Sequence, residues 1–299
     1  MRRVIVSGIT GHLGRELAAQ LSNVGVEVHG ISRSLRHEDS SDTHDGRLHH
    51  VDGTTETLVA TFKTVCPDAV FHLAAFSRRH HHVSDVIPLL QSNIGVGTQL
   101  LEAMRLTGCR RIIIAGSYLQ HFGPNDSHAF NLYAATKQAY ETILDYYIDA
   151  FELSAVRLTL SDVYSETDTR PKLMTDIAVA CTNHTPLKLR GPEAWIDPVH
   201  VEDAAFAFLQ ANSLLESDSL PCGRLSQYSV SSGRTVSATQ LVDLFETLGK
   251  CKLSVERGSQ GKEPREMQPW RGVMLPGWAP RISLEEGVMR ILRQCTHDR

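Results

Sequence analysis

Three glycines spaced three residues apart near the start of the chain are the feature that most constrains its fold. Residues 4–7 form a short apolar run typical of a buried strand, and Gly8, Gly11 and Gly14 follow it directly. Residues 13–24 then carry apolar side chains at helical spacing. A tight turn between strand and helix needs glycine, and the N–H groups at the start of the helix suit a bound diphosphate. The pattern favours a dinucleotide-binding turn over an ordinary glycine-containing connection.

The alternation of strand and helix continues through the first half of the chain. Apolar runs at residues 26–31, 69–74 and 111–115 indicate further strands, and residues 87–106 and 132–151 show helical periodicity. Strands that alternate with helices form parallel sheets with helices on both faces. We therefore predict an α/β fold of Rossmann type, built on a doubly wound parallel sheet.

The second half of the chain has a looser organisation, with frequent prolines and short, mixed apolar segments after about residue 160. We expect a dinucleotide-binding domain over residues 1–165, joined by about residues 195–225. A smaller C-terminal substrate lobe would lie mainly within residues 166–299. In that lobe, residues 238–248 and 283–292 are predicted helices.

Two local features complete this outline. Ser237 stands where an N-cap is expected for the helix that follows it. Residues 39–50 are polar, which predicts a surface loop.

Composition and charge argue against several kinds of partner. The chain has 299 residues, of which 41% are apolar, and a formal net charge of -4 without a basic stripe, so we expect no nucleic-acid partner. No apolar run approaches the roughly 20 residues of a membrane span, and the run after Arg2 and Arg3 is too short for a signal peptide. We therefore expect a cytoplasmic protein without a membrane partner.

The cysteines show no spacing typical of a metal site. None belongs to a CxxC pair or to a His/Cys cluster, so we expect no metal, and reduced structural thiols in a reducing compartment. The six cysteines are Cys66, Cys109, Cys181, Cys222, Cys251 and Cys295.

Tyr133 and Lys137 are the candidate catalytic pair. They lie four residues apart at the start of a predicted helix, which places the phenol and the ammonium on one face. Reduction of a ketone needs a proton for the oxygen as hydride reaches the carbon, and a lysine charge lowers the pKa of a phenol toward the useful range. A third group that polarises the carbonyl is expected near Ser117, where the preceding strand ends. The alternative for the pair is a surface contact on an amphipathic helix.

The end of the second strand bears on the choice of cofactor. An acidic residue there would bind the adenine ribose of NAD, but this chain has Ser32 and Arg33. Arg33 is able to pair with the 2′-phosphate of NADP, and Ser32 to donate to it, so we favour NADP(H). NAD(H) is the alternative, with Arg33 solvated or stacked on adenine. Asp52 ends a predicted third strand, and it and Gly53 are expected beside the adenine.

Five segments taken together resemble the extended short-chain dehydrogenases/reductases, the family of nucleotide-sugar epimerases, dehydratases and reductases. The segments are Gly8-x-x-Gly11-x-x-Gly14, Phe71-His72-Leu73-Ala74-Ala75, residues 93–103, Tyr133-x-x-x-Lys137 and Asp197-Pro198-Val199-His200-Val201-Glu202-Asp203. Within the family, residues 131–139 and 170–173 resemble the CDP-abequose and CDP-paratose synthase branch. That branch reduces the 4-keto group of a nucleotide-linked deoxyhexose. The resemblance implies NADPH-dependent reduction of such a sugar, in deoxysugar biosynthesis, with Tyr133 as the proton donor.

The resemblance also implies a set of binding residues. Those expected at the cofactor are Gly8, Thr10, Gly11, His12, Leu13, Gly14, Ser32, Arg33, Asp52, Gly53, Leu73, Ala74, Ala75, Tyr133 and Lys137. Those expected at the substrate are Ser77, His81, Tyr118, Asp162, Arg170 and Lys172. Arg170 and Lys172 would bind the diphosphate of the substrate. Ser77 and His81 otherwise belong to a solvated basic loop, and Asp162 is otherwise a turn cap.

The chain departs from the family pattern between its fifth strand and the catalytic helix. Family members carry Ser or Thr four residues before a Tyr-Gly pair. The corresponding pair here is Phe122-Gly123, so Tyr118 takes the position of the Ser or Thr, with Ser117 just before it. Either residue could supply the third catalytic group, and we prefer Ser117. Leu119 and Gln120 replace the acidic pair of the dehydratases, which disfavours elimination chemistry.

Two other functions are compatible with these residues. A nucleotide-sugar epimerase that depends on NAD would use Tyr133 and Lys137 but keep its cofactor bound. A non-catalytic dinucleotide-binding regulatory protein would need neither residue. The predicted helices over residues 87–106 and 132–151 form a dimer interface in many family members, so we expect a homodimer. Burial of their leucines in the core is the alternative.

Overall fold

The computed structural model describes residues 2–33, 47–123, 128–168, 170, 172–189, 195–217, 223–257 and 267–297. The strands are β1 (Arg3–Ser7), β2 (Glu27–Ser32), β3 (Leu48–His50), β4 (Ala69–His72), β5 (Arg111–Ser117), β6 (Ser154–Leu160), β7 (Asp162–Tyr164), β8 (Leu187–Leu189), β9 (Trp195–Ile196), β10 (Pro198–His200), β11 (Leu225–Val230), β12 (Val236–Ser237) and β13 (Val255–Arg257). The α-helices are α1 (His12–Asn23), α2 (Thr55–Val65), α3 (Val86–Leu90), α4 (Val96–Thr107), α5 (Leu132–Phe151), α6 (Leu173–Asn183), α7 (Val201–Glu216), α8 (Ala238–Gly249) and α9 (Leu284–His297).

The central sheet has seven parallel strands in the order β11-β6-β5-β4-β1-β2-β3. From β1 the chain adds strands in one direction through β2 and β3, and then returns to the other side of β1 with β4. β1 therefore pairs with both β2 and β4; Val4, for example, pairs with Val28 and with Ala69. Ligands of doubly wound sheets bind where the strand order reverses, outside the carboxyl ends of β1 and β4. The predicted Rossmann-type fold is confirmed.

Helices cover both faces of this sheet because its strands are apolar on both sides. Val6 and Phe71 pack with α1 and α7 in one hydrophobic cluster, whereas Ile5, Val70 and Ile112 pack with α2, α4 and α5 in another. All five side chains are fully buried. Burial of both faces explains why these strands are continuous apolar runs in the sequence.

The helix predicted over residues 87–106 is helical throughout but not uniform. A π-helical segment, Gln91–Gly95, separates α3 from α4. Asn93 lies in that segment with 1% of its surface exposed, and its amide donates to Oγ1 of Thr136 on α5 at 2.9 Å. Single π turns of this kind often occur at functional sites. Here the turn connects α4 to the helix that carries Tyr133.

The residues after β6 build a further hydrophobic cluster among α6, α8 and α9, framed by the strand pairs β7–β10, β8–β13 and β9–β12. Asp203, at the start of α7, connects this lobe to the sheet. Its carboxylate accepts the backbone N–H groups of Arg281 and Ile282, both at 3.0 Å. The boundaries of the two proposed domains stay a prediction.

Several local predictions have a clear outcome. The helices over residues 238–248 and 283–292 are confirmed as α8 and α9, and Ser237 caps α8 by accepting the N–H of Gln240 at 3.2 Å. The loop prediction for residues 39–50 is wrong at its end, because Leu48–His50 pairs with β2 as strand β3. The rest of that segment, to residue 46, lies outside the described residues. Among the described helices, none combines the length and the apolar character needed to span a bilayer.

The prediction of reduced cysteines is wrong for one pair. Cys181 of α6 and Cys251, just after α8, form a disulfide, with their Cα atoms 5.9 Å apart across 70 residues of sequence. α6 and α8 pack in the same cluster, and this tertiary contact leaves no mark in the spacing of the cysteines. Cys66 and Cys109 are free thiols, and Cys222 lies outside the described residues.

Candidate active site

The glycine turn between β1 and α1 is too crowded for side chains. Gly8 adopts φ +75°, and a Cβ there would lie 2.7 Å from the backbone nitrogen of Ala74. A Cβ on Gly14 would overlap the carbonyl oxygen of Gly8, which also accepts the N–H of Gly11 at 3.0 Å. Gly11 is the N-cap of α1, and no side chain caps this helix, so the N–H groups from His12 onward face the crevice without a side-chain acceptor. This cradle fits the diphosphate of a dinucleotide.

The carboxyl end of β4 forms the second wall of the crevice. Leu73 donates its N–H to the carbonyl of Ser7 at 3.1 Å, and Ala74 donates to the Ser7 hydroxyl at 3.3 Å. The same hydroxyl is 2.7 Å from Nδ1 of His72. Leu73, Ala74 and the exposed Ala75 therefore lie directly opposite the glycine turn, where the sequence placed them.

The residues predicted at the adenosine end lie along the edge formed by β2 and β3. Arg33 is exposed just beyond β2, and its carbonyl is 3.1 Å from Nε2 of His50. The carboxylate of Asp52 accepts hydrogen bonds from the residues that follow it. Its Oδ1 accepts the backbone N–H and the hydroxyl of Thr54 and the hydroxyl of Thr57. These hydrogen bonds, that from the Thr54 hydroxyl first, lower the pKa of Asp52 to about 2. Asp52 thus orients Thr54, which is the N-cap of α2.

Tyr133, Ser117 and Lys137 come together where β5 ends against α5. Asn131 caps α5 by accepting the N–H of Ala134 at 2.9 Å, which places Tyr133 in the first turn. The Tyr133 phenol is half-buried, and the Ser117 hydroxyl lies close enough to it to lower its pKa. Lys137 is 4% exposed, and its Nζ donates to the carbonyl of Ala115 at 2.9 Å.

The burial of this trio perturbs its protonation. Burial raises the pKa of Tyr133 to about 12, and the hydrogen bond from Ser117 acts in the opposite direction because it favours the phenolate. Burial also lowers the pKa of Lys137 to about 8, against the opposing charge of Glu141. The pKa values of the phenol and the ammonium therefore lie farther apart than in water, and the predicted lowering of the Tyr133 pKa by Lys137 is not found in this structure.

Tyr118 does not join this trio. Its phenol donates to Oδ1 of Asp162 at 3.2 Å, and burial, followed by the nearby carboxylate, raises the pKa of Tyr118 well above its usual value. Burial also raises the pKa of Asp162 to about 6. The two residues therefore form a separate dyad beside Ser117. Of the two candidates for the third catalytic group, it is Ser117 that contacts Tyr133.

The loop after β4 carries Ser77 and His81, and both side chains are exposed. Its base is fixed by two asparagines that the sequence reasoning did not assign to the site. Asn93 accepts the N–H of Phe76 at 2.8 Å and donates to the carbonyl of the same residue at 3.0 Å. Asn131 donates to the carbonyls of Arg78 and Arg79. The signal in the sequence that could have identified this role was Asn93, a polar residue within an otherwise largely apolar predicted helix.

Arg170 and Lys172 converge on a carboxylate that the sequence reasoning also did not assign to the site. Asp168 is 6% exposed and lies 2.6 Å from Nε of Arg170 and 3.1 Å from Nζ of Lys172. Burial opposes ionisation, but the hydrogen bond from Arg170 and the charge of Lys172 hold the pKa of Asp168 well below its usual range.

Nε2 of His12, the first residue of α1, is 3.9 Å from the carboxylate of Asp168. Burial lowers the pKa of His12 to about 4, so the imidazole is neutral. The two predicted diphosphate contacts thus lie beside the glycine turn.

Three side chains near the site are of types that bind metal ions, but their ligand atoms are engaged in hydrogen bonds and an ion pair. Ligand atoms of Glu166, His200 and Glu202 lie within 4.8 Å of one another. Nδ1 of His200 accepts the N–H of Glu202, so its Nε2 carries the proton and donates to Glu166 at 3.0 Å. Glu202 also pairs with Arg290 at 2.7 Å. Both nitrogens of the imidazole are therefore engaged, and this hydrogen-bonded group does not present a metal ligand set.

Comparisons with known proteins agree with this geometry. The model of the NAD dependent epimerase/dehydratase family matches residues 4–220. The chain therefore belongs to the NAD dependent epimerase/dehydratase family, as its motifs predicted.

Two curated relatives align along nearly their whole length. The UDP-glucose 4-epimerase of Mycolicibacterium smegmatis is 24% identical, over 96% of this chain and 96% of its own. The CDP-abequose synthase of Salmonella typhimurium is also 24% identical, over 97% of each chain. Among solved structures, the UDP-glucose 4-epimerase from Brucella ovis in complex with NAD has a TM-score of 0.85 and 22% identity, over 97% of each chain. That likeness is one of fold.

The contrast between Ser117 and Tyr118 gives a direct test. We expect Ser117→Ala to lower kcat about 100-fold, because it removes a donor aimed at the reacting oxygen. Tyr118→Phe should instead act mainly on the KM of the substrate, because the phenol contacts Asp162 and not Tyr133. Both variants would be compared in steady-state assays linked to the nicotinamide cofactor. A large loss of kcat in Tyr118→Phe with little effect of Ser117→Ala would reverse the assignment.

Proposed function

We propose that this protein reduces the 4-keto group of a nucleotide-linked deoxyhexose with NADPH, giving the 4-hydroxy sugar. The observation that carries the proposal is the contact of Tyr133 with Ser117 at the crevice where the strand order reverses, with Lys137 one helical turn away. The full-length similarity to CDP-abequose synthase supports the same class of reaction. At the position of the dehydratase carboxylate, Gln120 offers no acid or base.

The proton and the developing charge would be handled by this trio. When bound, the nicotinamide cofactor supplies the hydride. Tyr133 donates its phenolic proton to the C4 oxygen, and the Ser117 hydroxyl donates a hydrogen bond to the same oxygen, which stabilises the negative charge that develops there. Lys137 stabilises the phenolate that remains on Tyr133.

The cations around the crevice suit a nucleoside diphosphate group. Lys172 is half-buried beside Asp162, and Arg79 lies close enough to Tyr118 to lower its pKa. Arg170 is exposed and bonded to Asp168. We infer that a nucleotide sugar enters between the loop after β4 and the segment after β7, with its sugar toward Tyr133.

An NAD-dependent nucleotide-sugar epimerase is the second candidate. The UDP-glucose 4-epimerase relative has the same identity over the full chain as the CDP-abequose synthase. Tyr133, Ser117 and Lys137 would serve its chemistry equally well. The exposed Arg33 after β2 favours a dissociable NADPH and hence the reductase. A non-catalytic dinucleotide-binding protein would leave the contact of Tyr133 with Ser117 without a use.

The proposed homodimer and the cytoplasmic location also stay predictions. Leu89, Leu100 and Leu101 are fully buried in the core of one subunit. Ile87 on α3 and Tyr146 on α5 are each 59% exposed, and Leu90 on α3 is 40% exposed; these apolar side chains would be available to a second copy.

The activity is tested by offering 4-keto-6-deoxyhexoses linked to CDP, dTDP or GDP and following NADPH oxidation. We expect turnover by the wild-type protein and a loss of about 1000-fold in Tyr133→Phe, because the proton donor is gone. Binding of NADPH, measured by its fluorescence, should change little. Protein that carries stoichiometric NAD and interconverts UDP-glucose with its C4 epimer would contradict the reductase. Binding of NADPH without turnover of any such sugar would favour the regulatory protein.

The pH dependence follows from Lys137. Its pKa, lowered to about 8 by burial, means that the ammonium is present below that pH and lost above it. Because the charge stabilises the phenolate of Tyr133, kcat should be level below about pH 8 and fall at higher pH. Turnover measured by stopped flow from about pH 6 to about pH 10 tests for this fall in kcat. A kcat that is unchanged to the top of this range would remove Lys137 from the mechanism.

The cofactor preference is tested at Arg33. We expect Arg33→Asp to lower the ratio of kcat/KM for NADPH to that for NADH by at least about tenfold, because a charge-assisted contact to the 2′-phosphate is replaced by repulsion. Arg224→Asp is the matched control, since Arg224 is also exposed but lies at β11, the opposite edge of the sheet. An equal shift in both variants, or none in Arg33→Asp, would leave NAD(H) as the cofactor.

A further inference from the structure

Gln120 is buried behind the site and not directed at the substrate crevice. It ends the short 3₁₀ turn Tyr118–Gln120 and is 1% exposed. Its Oε1 accepts the backbone N–H of Ser117 at 2.8 Å, and its Nε2 donates to Oε1 of Glu141 at 2.7 Å. Only this orientation of the amide satisfies both neighbours, because Ser117 offers a donor and Glu141 an acceptor. The side chain is thus fully committed to these two groups.

Glu141 is itself fixed on the far side. It lies on α5 one turn after Lys137, and its Oε2 pairs with Arg157 of β6, which is 5% exposed. Arg157 donates onward to the side chain of Gln227 on β11 at 2.6 Å. A chain of charge-assisted hydrogen bonds therefore runs from the end of β5, through the catalytic helix, to two neighbouring strands.

A second hydrogen bond ties the same turn to the catalytic helix. The Gln138 side chain, next to Lys137, donates to the backbone carbonyl of Gln120 at 2.8 Å. Meanwhile the Ser117 hydroxyl oxygen accepts the N–H of Leu119 at 3.3 Å. With this oxygen fixed, the hydroxyl proton is free to point toward Tyr133 and the reacting oxygen. Both the backbone and the side chain of Ser117 are therefore oriented by the turn.

We propose that Gln120 is a positioning residue, whose amide fixes Ser117 relative to Tyr133 by linking the end of β5 to Glu141 on the catalytic helix. The inference rests on the proposed function and extends it. Transition-state stabilisation by a single donor depends on placement within a fraction of an ångström, so loss of this link should act on kcat before it acts on binding.

The chain contains a matched control for a merely structural role. Ser237 and Gln240 form the same capping box at the start of α8, where the Ser237 N–H donates to Oε1 of Gln240 at 2.9 Å. That box lies in the C-terminal lobe, away from Tyr133. Loss of either box should cost stability, and only loss of the first should cost turnover.

The first experiment compares Gln120→Met with Gln240→Met. Methionine keeps the volume of the side chain and removes both hydrogen-bonding groups. We expect kcat of Gln120→Met to fall about 100-fold with KM and NADPH affinity nearly unchanged, and kcat of Gln240→Met to stay near the wild-type value. Thermal melts would be recorded for both. Equal kcat in the two variants, or a loss in Gln120→Met that lies wholly in KM, would overturn the proposal.

Gln120→Glu gives a test that does not depend on tolerance of methionine. An ionised carboxylate would face Glu141, flanked by Lys137 on α5 and Arg157 on β6, whereas a protonated one restores the donor to Glu141. We therefore expect kcat of Gln120→Glu to rise toward the wild-type value as the pH falls, whereas kcat of the wild-type protein should stay level over the same acidic range. The same pH dependence in both proteins would overturn the proposal.

Failure of the proposed function is distinguished by a measurement on the resting protein. The Ser117 amide should exchange slowly with deuterium in the wild-type protein and in Gln240→Met, and faster in Gln120→Met, as read by NMR. If no nucleotide sugar is turned over but this contrast holds, the function is wrong and the positioning contact stands. If turnover is found but the exchange rates are equal, the function stands and the positioning role is wrong.

Discussion

The backbone contact between the glycine turn and the end of β4 is the constraint on which the rest of the structure depends. A Cβ on Gly8 would lie 2.7 Å from the nitrogen of Ala74, so the two segments touch only because no side chain separates them. β1 and β4 are the neighbours between which the strand order reverses, and this contact sets the width of the crevice there. The start of α1 forms one wall, and the ends of β4 and β5 form the other. A side chain at Gly8 or Gly14 would move both walls.

The second wall depends on a buried lysine that pairs with a carbonyl and not with an acid. Lys137 donates to Ala115 at the end of β5, and burial lowers its pKa to about 8. His72, on the neighbouring strand, has its pKa lowered to about 3 by burial and by the charge of Lys137. A neutral imidazole adds no second charge. The ammonium is therefore free to respond to the ionisation of Tyr133, which is what an acid–base pair in a low-dielectric site requires.

Local patterns predicted the parts of the site that are local in sequence. The glycine spacing and the Tyr133–Lys137 spacing are set within a single turn or helix, and the sequence carries them directly. The contacts that cross the fold were not predictable in this way. The disulfide of Cys181 depends on the packing of α6 against α8, and the pairing of Asp168 with Arg170 beside the glycine turn depends on where the segment after β7 folds back. Neither of these two contacts is marked in the sequence by a periodic pattern or a motif.

The position of Ser117, the proposed catalytic hydroxyl, shows how the structure accommodates a shift of one residue from the family pattern. The family hydroxyl position is occupied by Tyr118, and a phenol reaches much farther from the backbone than a hydroxymethyl group, so the two cannot present oxygen at the same point. The structure turns this phenol onto Asp162 and brings Ser117, the last residue of β5, to Tyr133. A residue at the end of a strand is fixed only if the turn after it is fixed. Gln120 accepts the N–H of Ser117 at the position where a dehydratase would need a carboxylate. In the proposed reductase, the residue that removes elimination chemistry would therefore also restrain Ser117 beside Tyr133.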